Sequence, residues 1–404
     1  MKIRILLAIF LLSVMVATNA QKSKTNTAPA VTDEGYKFTP VVELKATSVK
    51  DQARTSTCWC FATTSFIESE LIRMGKGDFD LSEMFIIRYN FLDRLKDNYL
   101  RQGKGNIAPG GGQAHDWMIV FKENGIVPDE IYPGLNYGSP KHNHDELNDY
   151  ITAVAAVPVQ RKKESDQYHK IVDAILDTYL GGIPESFTYK GVNYTPMSFA
   201  SSLGINPDDY VEITSFSHFP FYTQGVLEIP DNWRMARFYN VPIDELMQIM
   251  DYSLNNGFTV NWDGDVSERG FSHEKGVAII PELVKTEDYS VTDRARFEKM
   301  TLQELSGEAY KFLNLFPEVK ITQEIRQSGF ENFTTTDDHG MHITGIVKDK
   351  NGTKYYITKN SWGTERNPFG GYLNMSENYV MAKTIFIMVH KNAIPMAIKT
   401  KLGL

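Results

Sequence analysis

The chain has 404 residues, of which 42% are hydrophobic and 12% aromatic, and it contains only two cysteines. This composition excludes a disordered chain, a disulfide-rich scaffold and a protein with many membrane spans. Lys and Arg number 42 against 50 Asp and Glu, so the formal net charge is −8. Because binding to nucleic acids depends on clustered basic side chains, this acidic balance argues against a nucleic-acid partner.

The first twenty residues have the three-part layout of a secretory signal peptide. Lys2 and Arg4 precede an apolar run over residues 5–17, and small residues suitable for cleavage follow it. Because an apolar run of about 13 residues is short for a bilayer span, cleavage is favoured over an uncleaved membrane anchor. We therefore expect residues 1–20 to be removed and the protein to be exported, to a periplasm or outside the cell, without a membrane attachment. Residues 21–45 are predicted to form a flexible lead-in.

Three segments have the apolar spacing that is typical of helices. Small and apolar residues recur at intervals of three and four from Cys58 onward, and the N-cap candidates 55–57 precede them. A second helix is predicted over 166–180, where two glycines follow, and a third over 242–257, where a glycine ends the pattern.

The last quarter of the chain has the pattern of β-strands. Residues 343–348, 354–359 and 384–389 are rich in β-branched and aromatic side chains, and turns that contain glycine separate them. Helices early and strands late predict an α+β fold in which a helical part faces a sheet. The segment from about 185 to 335 cannot be placed from its pattern alone.

The two cysteines need an explanation, since export normally favours disulfides. Side chains two apart on a helix diverge, so Cys58 and Cys60 are not expected to bridge. Cys58 would stand in the first turn of a helix, where the helix dipole and a free N–H stabilise a thiolate. Gln52, on the approaching loop, could complete an oxyanion site with that N–H. Cys60 is better explained as a core residue.

Two further motifs supply partners for such a thiolate. His339 opens the first late strand, and Asn360 closes the second, followed by Trp362. An amide can orient an imidazole by accepting its N–H, and an indole can shield that bond from water. The histidine at position 342 is expected to be a packed or hydrogen-bonded neighbour, because it lies three residues from His339 on a strand.

Taken together, these segments resemble the papain superfamily of cysteine peptidases, and in particular its bleomycin hydrolase and aminopeptidase C branch. The similar segments are 52–59, 111–113, 124–128, 194–196, 261–266, 336–341 and 360–363. The resemblance covers most of the chain from about residue 45 to residue 392. It implies a papain-like two-lobed α+β fold, with a helical left lobe, an antiparallel-sheet or barrel right lobe and a helical insertion.

The resemblance also implies boundaries and roles. The peptidase domain would cover 46–392, with the insertion at roughly 140–330, and a C-terminal arm would cover 393–404. The implied residues are Cys58 as nucleophile, His339 as general acid and base, Asn360 as the orienting residue, Gln52 in the oxyanion hole, Trp362 as a cover, and Gly111 and Gly112 where the substrate backbone approaches.

The implied function is a cysteine aminopeptidase that removes N-terminal residues from peptides through a thioester intermediate. The alternatives are a papain-like endopeptidase and a catalytically silent relative that binds peptides. Two departures from the branch keep the silent relative open. Ser56 replaces the usual glycine two residues before the cysteine, and strain of about 1–2 kcal/mol is expected if this position needs a positive φ. Residues 396–404 lack the Trp-Asp pair that is frequent in the arm.

Other partners are few. The resemblance implies a closed homo-hexamer, although the chain offers no self-association signal of its own. Nothing in the sequence indicates a metal or an organic cofactor. His142 and His144 are expected in a solvated loop rather than in a metal site, because no third ligand group is evident nearby.

Overall fold

The structure, a computed structural model, describes residues 35–107, 110–284, 294 and 297–404. The predicted signal peptide and the first part of the predicted lead-in therefore lie outside the described residues. The helices are α1 Cys58–Arg73, α2 Glu83–Leu100, α3 Ala114–Asn124, α4 Asp145–Arg161, α5 Asp166–Leu180, α6 Pro196–Leu203, α7 Ile243–Asn255, α8 Leu302–Ala309, α9 Gln323–Glu331, α10 Glu377–Lys383 and α11 Met396–Leu402. None of the helices described is both long and apolar enough to cross a membrane.

The strands are short except for one near the end of the chain. They are β1 Phe38–Glu43, β2 Phe187–Tyr189, β3 Val192–Tyr194, β4 Tyr210–Thr214, β5 Gln224–Val226, β6 Arg237–Asn240, β7 Val260–Gly264, β8 Phe271–Ser272, β9 Val277–Ala278, β10 His339–Asp349, β11 Lys354–Lys359, β12 Tyr372–Ser376 and β13 Thr384–His390. β2 and β3 form a separate hairpin. The other strands join one sheet.

The helical part is organised around α1. This helix packs against α2, α3, β7 and β10. Because it has neighbours on opposite sides, its side chains from Trp59 to Leu71 are all buried, polar ones included. Phe66, Phe85 and Trp117 lie in the apolar cluster around it. A helix enclosed in this way has a fixed position and can hold its first turn rigidly.

The sheet has the strand order β5-β6-β4-β13-β7-β10-β11-β12-β9-β8, with β1 also paired to β10. Most pairs are antiparallel, as predicted for this lobe, and the pairs β4–β6 and β12–β9 are parallel. The barrel alternative is not observed, since β5 and β8 end the described sheet on opposite sides. Two strands pair with the same edge of β10: β7 pairs with its first half and β1 with its second half. The sheet therefore stays open, with α7 packed on its β7 and β10 strands.

The predicted helices over 166–180 and 242–257 and the three predicted late strands are all present within a few residues. The predicted lead-in over 21–45 is partly wrong, because β1 occupies 38–43. β1 pairs with β10, and its Phe38 ring packs against Tyr355 of β11, which makes it part of the sheet rather than a flexible segment.

The middle of the chain contributes to two different parts of the fold. Residues 145–203 form helices and a hairpin, in agreement with a helical insertion. Residues 210–278 instead supply β4 to β9, and β7 lies near the centre of the sheet between β13 and β10. The predicted insertion at 140–330 thus contains strands on which the site itself depends.

Candidate active site

The loop before α1 places Cys58 at the first helical position. Thr57 is the N-cap residue, but its side chain makes no bond to the helix. Its hydroxyl instead donates to Thr55 Oγ1 at 2.7 Å. Cys58 is partly exposed, and both cysteines are free thiols. Cys60 is fully buried in the helical core, as predicted.

Backbone strain is present in this loop at the predicted position. Ser56 has φ 57° and Ala53 has φ 47°, both in the left-handed region. Gly110 passes directly above, because a Cβ at Gly110 would lie 2.8 Å from the Ser56 carbonyl oxygen. The Trp59 indole donates to the Gly110 carbonyl at 2.7 Å. The surroundings therefore hold the loop in a conformation that serine does not favour.

A second segment braces the same loop. The Arg54 N–H donates to the His142 carbonyl at 3.3 Å, and the His144 N–H donates to the Arg54 carbonyl at 2.9 Å. The prediction of a solvated loop is wrong for His144, which is completely buried. Burial lowers the pKa of His144 to about 3, and its neighbour His142 lowers it further. The backbone bonds to the cysteine loop explain why this polar segment is inside.

Gln52 is fixed by the segment that follows Asn360. The Gln52 N–H donates to the Ser361 carbonyl at 2.8 Å, and the Ser361 hydroxyl donates to Gln52 Oε1 at 2.6 Å. These contacts orient the amide so that its nitrogen points away from Ser361. No described residue accepts a hydrogen bond from that nitrogen, which leaves a donor available beside the first turn of α1.

His339 and Asn360 are joined by a hydrogen bond, in which Nε2 donates to Oδ1 at 2.7 Å. The Ser361 N–H donates to the same oxygen at 2.7 Å and fixes the amide. The Trp362 ring lies 4.7 Å from the imidazole, measured between centroids, and keeps 38% of its surface exposed. Because Nε2 carries a proton here, Nδ1 is the nitrogen of His339 that can accept one.

Burial keeps both reactive groups uncharged when each is considered alone. It lowers the pKa of His339 to about 4, against the hydrogen bond that His339 donates to Asn360, and the nearby His273 lowers it further. Burial raises the pKa of the Cys58 thiol to about 11, although the N–H groups of Gly340 and Trp59 oppose this shift. Since His339 is next to Gly340 in the chain, these contacts bring the thiol and the histidine to the same end of α1.

Register explains why the two lobes meet here. His339 and Thr384 both pair with Gly264 at the end of β7. A Cβ at Gly340 would lie only 3.0 Å from the Trp59 Cα, so the strand rests directly on the first turn of α1. A larger residue at Gly340 would push the sheet away from the helix and separate the motifs.

Gly111 and Gly112, where the resemblance implies that the substrate backbone approaches, lie close to other side chains of this chain. A Cβ at Gly111 would lie 2.2 Å from the Asp231 carboxylate, and one at Gly112 would lie 2.7 Å from the Trp59 indole. Packing against the rigid indole therefore requires glycine at position 112, whereas at position 111 the flexible Asp231 side chain would have to move to admit a Cβ.

Several residues at the site carried no sequence signal. The Asn360 amide nitrogen donates to His273 Nδ1 at 3.3 Å, and His273 was not distinguishable from any other polar residue of the middle segment. His342 is buried and its Nδ1 lies 2.9 Å from Ser65 Oγ, as predicted for a packed neighbour. Asp231 and Asp263 lie near the thiol, but only the fold brings them there.

The predicted arm, 393–404, packs far from Cys58. β13 begins at Thr384 beside the site and ends at His390, about 20 Å away at the usual rise per residue. The arm starts from that far end, and its side chains Ile398 and Leu402 are buried in the apolar cluster of the sheet and α7.

Comparison with known proteins finds a matching peptidase family model and similar aminopeptidases. A family model described as the Peptidase C1-like family matches residues 308–403. The chain is 22% identical to aminopeptidase G of Lactobacillus delbrueckii subsp. lactis, over 86% of this chain and 82% of the relative. It is 22% identical to aminopeptidase C of Lactobacillus helveticus, over 89% of this chain and 82% of the relative.

The fold also matches a solved structure. PepW from Lactobacillus rhamnosis HN001 superposes with a TM-score of 0.67 at 18% identity, covering 90% of this chain and 84% of that one. The overall fold of the chain is therefore one already seen in a solved structure.

Proposed function

Since the chain belongs to the papain-like cysteine peptidases, in the bleomycin hydrolase and aminopeptidase C branch, we propose that it removes N-terminal residues from peptides with a Cys58–His339–Asn360 triad. The observation that carries this proposal is the 2.7 Å hydrogen bond between His339 and Asn360 at the end of the helix that Cys58 opens. That bond orients an imidazole whose free nitrogen can take a proton from a thiol.

In the proposed reaction, the Cys58 proton moves to His339 Nδ1 and the sulfur attacks the peptide carbonyl carbon. The carbonyl electrons move to its oxygen, which receives hydrogen bonds from the Cys58 N–H and the Gln52 amide. As the C–N bond breaks, Nδ1 returns its proton to the leaving amine and a thioester remains. His339 Nδ1 then takes a proton from water as the water oxygen attacks the thioester carbon. The C–S bond breaks, the carboxylic acid product leaves, and Nδ1 returns the proton to the sulfur to restore the thiol.

The charges in this step compensate one another. Burial opposes a lone thiolate and a lone imidazolium, but proton transfer creates both together, and their attraction is strong in a water-poor site. The backbone N–H groups of Gly340 and Trp59 also favour the thiolate. Asn360 favours the imidazolium, because its oxygen accepts the Nε2 proton in both charge states.

The test uses leucyl-p-nitroanilide with a free amine and the same compound acetylated. We expect the free-amine substrate to be hydrolysed with a much higher kcat/KM, and we expect an epoxide thiol reagent to label the wild-type protein but not Cys58→Ala. Equal rates on both substrates would support the endopeptidase instead. Absence of both turnover and labelling would support the silent binding relative.

The endopeptidase remains a second candidate because of one observation. Ile398 and Leu402 of the arm are buried against the sheet and α7, and no hydrogen bond described in the structure joins the arm to Cys58, His339 or Asn360. An aminopeptidase built on this chain needs another group to hold the substrate amine.

We further propose that the protein is exported after cleavage near residue 20 and that it assembles as a homo-hexamer. The proposal of export rests on the signal-like first twenty residues, and the proposal of a hexamer rests on the resemblance. N-terminal sequencing of the mature protein and its sedimentation mass test them. An intact N-terminus in the cytoplasm, or a monomeric mass, would contradict the respective proposal.

A further inference from the structure

Three carboxyl groups from distant parts of the chain meet beside the reactive thiol. They are Asp231 from the loop before β6, Asp263 of β7 and Asp337 just before β10, and we call them the acidic subsite. The charges of Asp231 and Asp337 act on Cys58, and that of Cys58 acts on Asp263. None of the three has a role in the reaction proposed above.

Strand register directs Asp263 toward the cleft. Asp263 is paired with Gly340, and directly opposed residues of an antiparallel pair project to the same face. That face of Gly340 rests on the first turn of α1. The Asp263 side chain therefore projects to the side of the sheet that faces the first turn of α1. The carboxyl is only 4% exposed, yet its Oδ1 has no hydrogen-bond partner among the described residues.

The other two members form the walls of the subsite. Asp337 Oδ2 accepts from the Gln113 amide at 2.7 Å, and Gln113 Oε1 is buried without a partner in the described structure. Asp231 lies against Gly111, the residue two before Gln113. The subsite thus contains a second unpartnered polar atom, also an acceptor. Gln113 Oε1 has no donor within the described chain, whereas the Asp263 carboxyl group can share a proton with the neighbouring Asp337 when no cation is bound.

Nearby cations do not neutralise this group. Arg94 attracts Asp231, and Arg234 is bound to Asp116 and Asp93. In the part of the chain that the structure describes, no Lys or Arg forms an ion pair with Asp263 or Asp337. Nor do any three His, Cys, Asp or Glu side chains there have an arrangement that could hold a metal ion.

Titration agrees with an excess of negative charge. The Asp263 and Asp337 carboxyl groups lie side by side, and burial raises the pKa of both. The charge of Asp337 raises the pKa of Asp263 further, and the charge of Asp231 raises that of Asp337, although the hydrogen bond with Asp263 opposes the shift at Asp337. A pair of this kind retains a proton until a positive charge arrives. The charges of Asp337 and Asp231 raise the pKa of Cys58, so a bound cation would also favour its thiolate.

We propose that the acidic subsite binds a cationic nitrogen of the substrate, with Asp263 Oδ1 and Gln113 Oε1 accepting its N–H groups. The nitrogen is either the α-ammonium of the first residue or the side chain of a Lys or Arg that precedes the cleaved bond. The α-nitrogen lies only about 2.5 Å from the carbonyl carbon of its own residue, so a subsite beside Cys58 is within reach. The inference deepens the proposed peptidase activity and rests on it.

The experiment compares four p-nitroanilides on the full-length protein: leucyl, N-acetyl-leucyl, N-acetyl-lysyl-leucyl and N-acetyl-norleucyl-leucyl. The variants are Asp263→Asn and Asp337→Asn, with Asp149→Asn, exposed on α4, as the matched control. The substrates form two pairs, leucyl with N-acetyl-leucyl and N-acetyl-lysyl-leucyl with N-acetyl-norleucyl-leucyl, and one member of each pair is cationic. For one of these pairs we expect the ratio of kcat/KM between the cationic and the neutral substrate to fall at least about 30-fold in both subsite variants, mainly through KM. The control variant should behave like the wild type.

The two sources of the cation give different results. Loss of the leucyl over acetyl-leucyl preference identifies the α-ammonium, and loss of the lysyl over norleucyl preference identifies a side chain. The inference is wrong if the wild type has neither preference, or if the variants retain it. Epoxide labelling of Cys58 in each variant shows that the variant is folded and its nucleophile intact.

A binding measurement separates this inference from the proposed function. Leucinamide and N-acetyl-leucinamide are titrated into Cys58→Ala, with and without Asp263→Asn, by calorimetry. Tighter binding of leucinamide that is lost with Asp263→Asn supports the subsite even if the protein proves unable to hydrolyse peptides. Equal binding of the two amides, together with equal binding of lysinamide and norleucinamide, would overturn it.

Discussion

Ser56 shows how a single residue can be identified as strained from its sequence neighbourhood. The resemblance indicated glycine at this position, and the observed φ of 57° is the conformation in which glycine alone is free of a Cβ clash. Serine persists because Gly110 and the Trp59 indole hold the loop from above. Part of the free energy of folding is therefore used to keep this loop in place.

Replacing this residue by glycine should stabilise the protein. For Ser56→Gly we expect an increase of about 1 kcal/mol in the free energy of unfolding, since relief of the Cβ strain exceeds the added entropy of the unfolded chain. Chemical denaturation measures the change. Ser56→Ala is the control, because alanine retains the Cβ and should give no such gain. An equal gain in both variants would show that the hydroxyl, and not the backbone, is responsible.

Cys58, His339 and Asn360 could be selected as candidate site residues from the sequence because each lies in a short motif with its own chemical signature. His273, which the Asn360 amide contacts, and the acidic subsite could not. Their members come from separate loops and strands, and no local pattern distinguishes an aspartate in a cleft from one on the surface.

Among the elements, β1 was the one most clearly missed. Its six residues, Phe-Thr-Pro-Val-Val-Glu, have little hydrophobic alternation, so their pattern does not predict a strand. Pairing with the second half of β10 supplies the backbone hydrogen bonds, and Phe38 packs edge-on against Tyr355 at 4.8 Å between ring centroids. β1 forms because it pairs with β10, and the sequence of residues 38–43 alone contains no information about that pairing.

The docking of β1 can be tested through its aromatic contact. Phe38→Ala should lower the free energy of unfolding by about 2 kcal/mol, roughly half the cost of truncating a fully buried phenylalanine. Val41→Ala, on the same strand but 54% exposed, should change it by less than about 0.5 kcal/mol. Thermal or urea unfolding gives both values. If the two variants were equally stable, residues 38–43 would not be held as a strand in solution.

For the whole molecule, buried histidines predict sensitivity to acid. Burial lowers the pKa of His144 to about 3, below its unfolded value near 6.5. A depressed histidine pKa contributes stability above the unfolded pKa, and that stability is lost as the pH falls toward the folded pKa. His142 and His339, both with pKa values lowered to about 4 mainly by burial, act in the same direction.

His144→Leu should reduce this acid sensitivity. His144 makes no side-chain hydrogen bond in the described structure, so an apolar residue of similar size should be tolerated at neutral pH. Between pH 7.5 and 5 the wild type should lose about 2 kcal/mol more stability than the variant. Unfolding curves at both pH values measure the difference. His169→Leu, on the exposed face of α5, is the control, and an identical pH response in all three proteins would contradict the assignment.

The sequence by itself determined the class of fold and indicated the chemistry proposed here. A cysteine at a helix start, a histidine opening a strand and an asparagine closing the next are local facts, and helix and strand periodicity extends over enough residues to be read directly. Tertiary structure alone decided which distant residues share the cleft. Strand register brings Asp263 opposite Gly340, packing carries 393–404 to the far end of β13, and pairing turns 38–43 into a strand. These features depend on contacts between residues far apart in the chain, whose free energy no short segment contains.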